Sequence, residues 1–126
     1  MIDHVSLQVS DLIRGAAFYD AVLSPLGLTR LVEREATIGF GKRYPEVWLN
    51  VRKNRPRAAD DPGAHIALRA PSEQAVRDFH ASALANGGSD EGAPGPRQAA
   101  MTTYFGAFIL DPDGNKIEAV NFPRAE

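Results

Sequence analysis

The chain contains no cysteine, and this absence excludes several kinds of chemistry. Disulfide cross-links, thiolate metal sites and a cysteine nucleophile all require that residue. No apolar run approaches the ~20 residues that span a bilayer, and Met1 leads into a strand-like alternation without a signal-type segment. Basic residues are not in excess either: 14 Lys and Arg stand against 16 Asp and Glu, which argues against nucleic acid and membrane surfaces as partners. We therefore expect a soluble cytoplasmic protein.

Histidine is also scarce, and two of the three histidines head copies of one repeated pattern. His65 follows His4 by 61 residues, and the same offset relates four further identical pairs: Leu7 and Leu68, Phe18 and Phe79, Leu23 and Leu84, Gly27 and Gly88. A chain of 126 residues forms one domain of ordinary size. The repeat therefore predicts two half-domain modules that share a core and build one pseudo-symmetric site.

Hydrophobic periodicity gives each module the same order of elements. In module one, about 1–53, residues 3–9 alternate as a strand, a helix runs from Asp11 to before Pro25, and strands follow near 28–33, 37–41 and 46–51. A charged connector covers about 54–63.

In module two, about 64–126, a strand at 65–69 precedes a helix that starts at Ser72, and strands follow near 104–110 and 116–122. Residues 89–102 have the composition of an extended loop with one poorly marked strand, and residues 111–115 form a hairpin turn. The order βαβββ, twice, predicts a single α+β domain over residues 1–126.

The most distinctive segments of the chain are HVSLQVSDLIRGAAFYDAVLSPLGL, PGAHIALRAPSEQAVRDFHASALANGG and YFGAFILDPDGNKIEAV. All three resemble the vicinal oxygen chelate superfamily, which includes glyoxalase, bleomycin-resistance protein and the extradiol dioxygenases. The resemblance implies a curled mixed sheet around a cavity, with metal ligands on inward-facing strand positions. Carried over to this sequence, those ligands are His4, His65 and Glu118.

The residues around Glu118 independently favour this placement. Ile117 and Ala119 have the parity of the packed side of a strand, so the Glu118 carboxylate should lie on the opposite face with Lys116 and Val120. Two imidazoles and one carboxylate suit a single divalent ion, Fe, Mn, Ni, Co or Zn, and leave coordination positions open. That arrangement is typical of a catalytic metal site.

The position equivalent to Glu118 in module one departs from the glyoxalase pattern. Laying VWLN on IEAV places Trp48 opposite Glu118, where many members have a carboxylate or glutamine. An indole N–H cannot ligate a metal, so three protein ligands are predicted. Trp48 then lines the pocket or packs in the core. Glu46, two residues earlier on the same face, is either a catalytic base or a solvated residue at a strand start.

Other candidate residues have the parity of the cavity wall. Tyr104 is a second catalytic candidate, since its hydroxyl can donate a proton or orient a substrate. Ser6 and Gln8 share a face with His4, and Arg69 shares one with His65, so these three are candidate substrate-binding residues. Core packing is the alternative for Tyr104, and a surface ion pair is the alternative for Arg69.

Two functions agree with this pattern. The first is a small-molecule metalloenzyme in which a divalent metal chelates neighbouring substrate oxygens, with lyase, isomerase, epoxide-opening or ring-cleaving chemistry. The second is a protein that sequesters a small molecule without catalysis, as in the bleomycin-resistance branch. Open curled sheets and the resemblance also predict a homodimer, with modules paired either within or between chains.

Overall fold

Both helices begin immediately after the residues at which the sequence predicts their start, and these residues cap them. Helix α1 spans Leu12–Leu23, and the Asp11 carboxylate accepts the backbone N–H of Arg14 at 3.0 Å. Helix α2 spans Glu73–Ala85, and the Ser72 hydroxyl accepts the N–H of Ala75 at 3.0 Å. Such a cap stabilises a helix by about 1 kcal/mol. The two helices start 61 residues apart, which is the offset of the sequence repeat.

The strands form two separate four-stranded mixed sheets, so the predicted α+β class is confirmed. Our computed structural model describes residues 1–57 and 61–123; part of the predicted connector (58–60) and the last three residues of the predicted second module lie outside this range. The strands are β1 Val5–Val9, β2 Thr29–Glu33, β3 Thr37–Gly41, β4 Pro45–Val51, β5 Ile66–Arg69, β6 Ser89–Gln98, β7 Thr103–Leu110 and β8 Lys116–Asn121. The sheet orders are β1-β4-β3-β2 and β5-β8-β7-β6, so the first strand of each module pairs with the last, in parallel. His4 and His65 each immediately precede a strand.

The segment 89–102, predicted as an extended loop with one poorly marked strand, consists mostly of that strand. Residues Ser89–Gln98 form β6, which pairs with β7 through two register shifts. Pro94 and Pro96 obscured the strand in the sequence. Prolines are tolerated here because β6 lies at the edge of its sheet and one side of it needs no ladder hydrogen bonds.

One hydrophobic core lies between the two sheets and is filled by the two helices. Val9 and Leu49 of module one and Ile109 and Ile117 of module two belong to the same buried cluster, and α1 packs against α2. Strand residues that alternate with these core residues, such as Ser6, are turned away from it. The faces that carry the predicted site residues are therefore the outer faces of the two sheets. No helix within the described ranges has the length and apolar character needed to span a bilayer.

The turn between β7 and β8 joins the two modules. Asp111, 1% exposed, accepts the Tyr19 hydroxyl of α1 at 2.6 Å, the backbone N–H groups of Asp113 and Asn115, and the Asn115 side-chain amide. The same amide donates to the backbone carbonyl of Gln8 in β1 at 2.9 Å. Burial raises the pKa of Asp111, and these hydrogen bonds oppose the rise. The predicted hairpin turn is thus also an inter-module junction.

We predict that Tyr19→Phe destabilises the fold by about 1–3 kcal/mol, because a buried carboxylate loses a donor. Because the pKa of Asp111 is raised in the folded state, the folded protein loses stability as the pH rises from the ordinary aspartate pKa through the raised one. Removing the Tyr19 donor raises that pKa further, so the deficit should be larger at neutral than at mildly acidic pH. Urea unfolding across this range measures it. Tyr44→Phe, at an exposed tyrosine, is the control; a pH-independent deficit would contradict the assignment.

Candidate functional site

A histidine and a glutamate meet on the outer face of the second sheet. Glu118 on β8 lies beside Ala67 of β5, and His65 precedes β5, so the parallel register brings the two side chains together. The distance from His65 Nε2 to Glu118 Oε1 is 3.2 Å. The Glu118 side chain is 5% exposed and that of His65 is 39% exposed. A largely buried carboxylate is therefore paired with an imidazole that solvent and ligands can reach.

Tyr104 satisfies the other oxygen of the same carboxylate. Its hydroxyl donates to Glu118 Oε2 at 2.6 Å. Burial, with the hydrogen bond and charge of Glu118, raises the pKa of Tyr104 to about 12. The hydroxyl therefore stays protonated at neutral pH and acts as a donor. Gly106 leaves room for this contact, since a Cβ there would lie 2.8 Å from the Tyr104 ring.

Aromatic rings and cations surround this group. The Phe108 ring lies 5.4 Å from the His65 ring and has Lys116 Nζ at 5.0 Å and Arg97 Cζ at 5.8 Å from its centroid. Phe122 stacks on Tyr104 at 5.1 Å and has the Arg69 guanidinium 5.6 Å from its centroid. We call this surface the module-two face: His65, Arg69, Arg97, Tyr104, Phe108, Lys116, Glu118 and Phe122.

The corresponding module-one face carries a different set: His4, Ser6, Gln8, Glu46, Trp48 and Asn50. Ser6 pairs with Trp48 in the parallel β1–β4 ladder as Ala67 pairs with Glu118 in β5–β8. Ser6 and Ala67 are also equivalent in the sequence repeat. The predicted equivalence of Trp48 and Glu118 is therefore confirmed at the level of strand register. Trp48 is partly buried, and the Arg34 guanidinium lies 5.8 Å from its ring centroid.

The remaining candidates of module one lie immediately before β1, within β1 and near the start of β4. His4 Nδ1 is 2.7 Å from the Asp3 carboxylate, and the His4 side chain is 51% exposed. Glu46 accepts the backbone N–H of Lys42 at 3.3 Å, a contact that serves the β3–β4 turn. His4, Glu46 and His65 border one cavity of about 540 Å³. Ser6 and Gln8 border a second one of about 390 Å³.

The predicted metal ligands are not all assembled within one chain. Across residues 1–57 and 61–123, no three His, Asp or Glu side chains converge as a metal-binding group. His65 and Glu118 meet, whereas His4 pairs with Asp3. Tyr104 joins the pair, but Glu46 and Trp48 belong to the other face.

The pair formed by His65 and Glu118 nevertheless has a geometry suited to a metal ion. When two ligand atoms each lie about 2.1 Å from a shared ion and the ligand–metal–ligand angle is about 90° to 110°, the two atoms lie roughly 3.0–3.4 Å apart. The observed N···O distance of 3.2 Å falls in this range. One imidazole nitrogen and one carboxylate oxygen also match the ligand preferences of the divalent ions predicted above.

Comparison with known proteins decides the family. A profile of the Glyoxalase/Bleomycin resistance protein/Dioxygenase superfamily matches residues 1–119. The chain belongs to this superfamily. Lactoylglutathione lyase of Salmonella typhimurium is 32% identical over 93% of this chain and 89% of the relative. Virulence protein STM3117 of the same organism is 30% identical over 93% of this chain and 81% of the relative. A crystal structure of a glyoxalase/bleomycin resistance protein from Albidiferax ferrireducens superposes with a TM-score of 0.82 at 33% identity, covering 97% of this chain and 99% of that one.

Sequence reasoning named Arg69 and Tyr104 as candidates on this superfamily member's module-two face and placed Lys116 beside Glu118. It missed Arg97, Phe108 and Phe122. Phe108 has the same strand parity as Tyr104, and Lys116 the same as Glu118, so alternation alone places them on this face. Arg97 carried no such signal, because the bulges in β6 interrupt its alternation. Phe122 follows β8 directly and is placed by that strand.

We predict that Glu118→Gln lowers the pKa of Tyr104 from about 12 toward the ordinary tyrosine value, because it removes the neighbouring negative charge. Tyrosine Cζ chemical shifts, measured by NMR up to about pH 11, report this ionisation. Tyr104→Phe identifies the resonance, and exposed Tyr44 is the internal reference. If the pH dependence of the Tyr104 Cζ chemical shift is unchanged in Glu118→Gln, burial alone sets the pKa of Tyr104.

Proposed function

We propose that this protein is a metal-dependent enzyme that acts on a small molecule with two neighbouring oxygen atoms. The observation that carries the proposal is the convergence of His65 and Glu118 at 3.2 Å on the outer face of the second sheet. Lyase or isomerase chemistry is favoured by the 32% identity with Salmonella lactoylglutathione lyase. Function depends on the site and not on the fold, so this reaction class rests on similarity.

We propose His4 of a second copy as the third ligand, in a homodimer. His4 lies on the outer side of its own sheet, is half exposed, and is not grouped with His65 and Glu118 of its own chain. The contact from Nδ1 to Asp3 fixes the ring and leaves Nε2 for another partner, as is common for metal-binding histidines. A module-one face placed against the partner's module-two face would complete the site twice, related by the twofold axis.

Each residue then has a distinct task. A divalent metal held by these ligands would supply Lewis acidity toward the paired substrate oxygens. Tyr104 keeps its proton on the hydroxyl and holds the Glu118 carboxylate in one orientation. Trp48 and Phe108 provide apolar walls that exclude water, and Arg69 lies at the rim of the same face.

Metal content of untagged protein tests the first part of this proposal. We expect about one divalent ion per chain in the wild type, and at least tenfold weaker binding in His65→Ala and Glu118→Ala, because each removes a ligand. His80→Gln is the matched control, since His80 pairs with Asp90 at 2.9 Å away from the module-two face. Plasma mass spectrometry and metal titration give the values. Wild-type occupancy in both ligand variants would refute the metal site.

Mixing two variants that each lack one metal ligand tests the pairing between chains. His4→Ala and His65→Ala place their defects in opposite halves of an intermolecular site. After joint refolding, half of the dimers are mixed and each has one intact site, so about one quarter of the sites should bind metal. Sites built within single chains would give none. Light scattering on the same samples measures the dimer directly.

The second candidate is a small-molecule sequestering protein of the bleomycin-resistance kind. It is favoured by one observation: His65 and Tyr104 already satisfy both oxygens of Glu118, so the network is complete without an ion. The metal measurement separates the two functions. Stable ligand binding by metal-free protein with no turnover would support sequestration.

A further inference from the structure

Two cations share one aromatic ring beside the His65 and Glu118 pair. Lys116 Nζ and the Arg97 guanidinium lie 5.0 Å and 5.8 Å from the Phe108 centroid. Among the described residues, neither forms a salt bridge with a carboxylate. Glu118, the carboxylate of the module-two face, has both oxygens engaged by His65 and Tyr104. Arg97 contributes to the lowered pKa of the Asp90 carboxyl but forms no salt bridge with it, so the positive charges of Arg97 and Lys116 stay available to attract a bound anion.

The local structure holds Arg97 in this position. Its Nη2 donates to the Ala93 carbonyl at 2.6 Å, which bends the side chain back along β6. Gly92 provides the space, because a Cβ there would lie 3.1 Å from Arg97 Nη2 and 3.2 Å from the Phe108 ring. A preorganised guanidinium loses little side-chain entropy when it binds an anion.

We propose that Arg97 and Lys116 bind an anionic group of the ligand, a carboxylate or a phosphoryl group, while Phe108 contacts the apolar part next to it. The proposal rests on the proposed function only in identifying this ligand as the substrate. Guanidinium and ammonium groups are the usual partners of both anions, and charge-assisted hydrogen bonds are about twice as strong as neutral ones. The three aromatic rings of the face, Tyr104, Phe108 and Phe122, favour a ligand with a planar or apolar body.

Amide NMR titrations of the full chain with benzoate, phenyl phosphate and neutral benzamide test this inference. We expect saturable shifts centred on Phe108 and Lys116 with at least one of the two anions, and much weaker shifts with benzamide. Arg97→Gln and Lys116→Gln should each raise the Kd of the anion roughly tenfold. Arg77→Gln is the matched control, because Arg77 stacks on Phe105 at 4.6 Å on the core side of the same sheet.

The outcomes separate this inference from the metal proposal. Binding of one anion only identifies the group as carboxylate or phosphoryl, and binding that persists in His65→Ala shows that the site does not need the metal. The inference is overturned if neither anion binds, if benzamide binds as well as the anions do, or if Arg77→Gln weakens binding as much as Arg97→Gln does.

Discussion

The hydrogen-bonded carboxylate of Asp111 is the constraint on which the rest of the structure depends. An ionised carboxyl buried without partners would cost several kcal/mol, and here it is held by donors from α1 and from its own turn. Asn115 of the same turn also donates a hydrogen bond to the backbone of β1. Asp111 therefore sets the position of the β7–β8 hairpin, which carries Tyr104, Phe108 and Glu118, relative to module one.

The two sides of each strand have different roles: one side packs in the core and stabilises the fold, and the other carries the candidate site residues. Core-facing residues such as Ile109, Ile117 and Ala119 are fully buried against the helices. The intervening positions are free to hold polar groups, since their burial is not needed for folding. Glu118 is a polar residue that is nevertheless buried on the outer side, and His65 and Tyr104 stabilise it there.

The sequence predicted the parts of this structure that depend on local patterns. Helix caps at Asp11 and Ser72, strand alternation, and the repeat that equates Trp48 with Glu118 are all encoded by short-range spacing. The strand β6 was only poorly marked in the sequence because its prolines and glycines resemble a loop, and its position at the edge of the sheet explains how they are compatible with pairing. The separation of His4 from Glu118 was not predictable either, since it depends on how two similar modules pack around a shared core. Arg97 reaches Phe108 only through a bulged strand, which alternation cannot describe.

The replacement of a carboxylate by Trp48 in one of two equivalent strands breaks the internal symmetry of the repeat. A pocket with a true twofold axis would accept a ligand in two orientations of equal energy, related by a half-turn. In the proposed pairing of a module-one face with a module-two face, a ligand would instead meet an indole on one side and a carboxylate on the other. Its two ends would then have different neighbours, which would favour a single orientation.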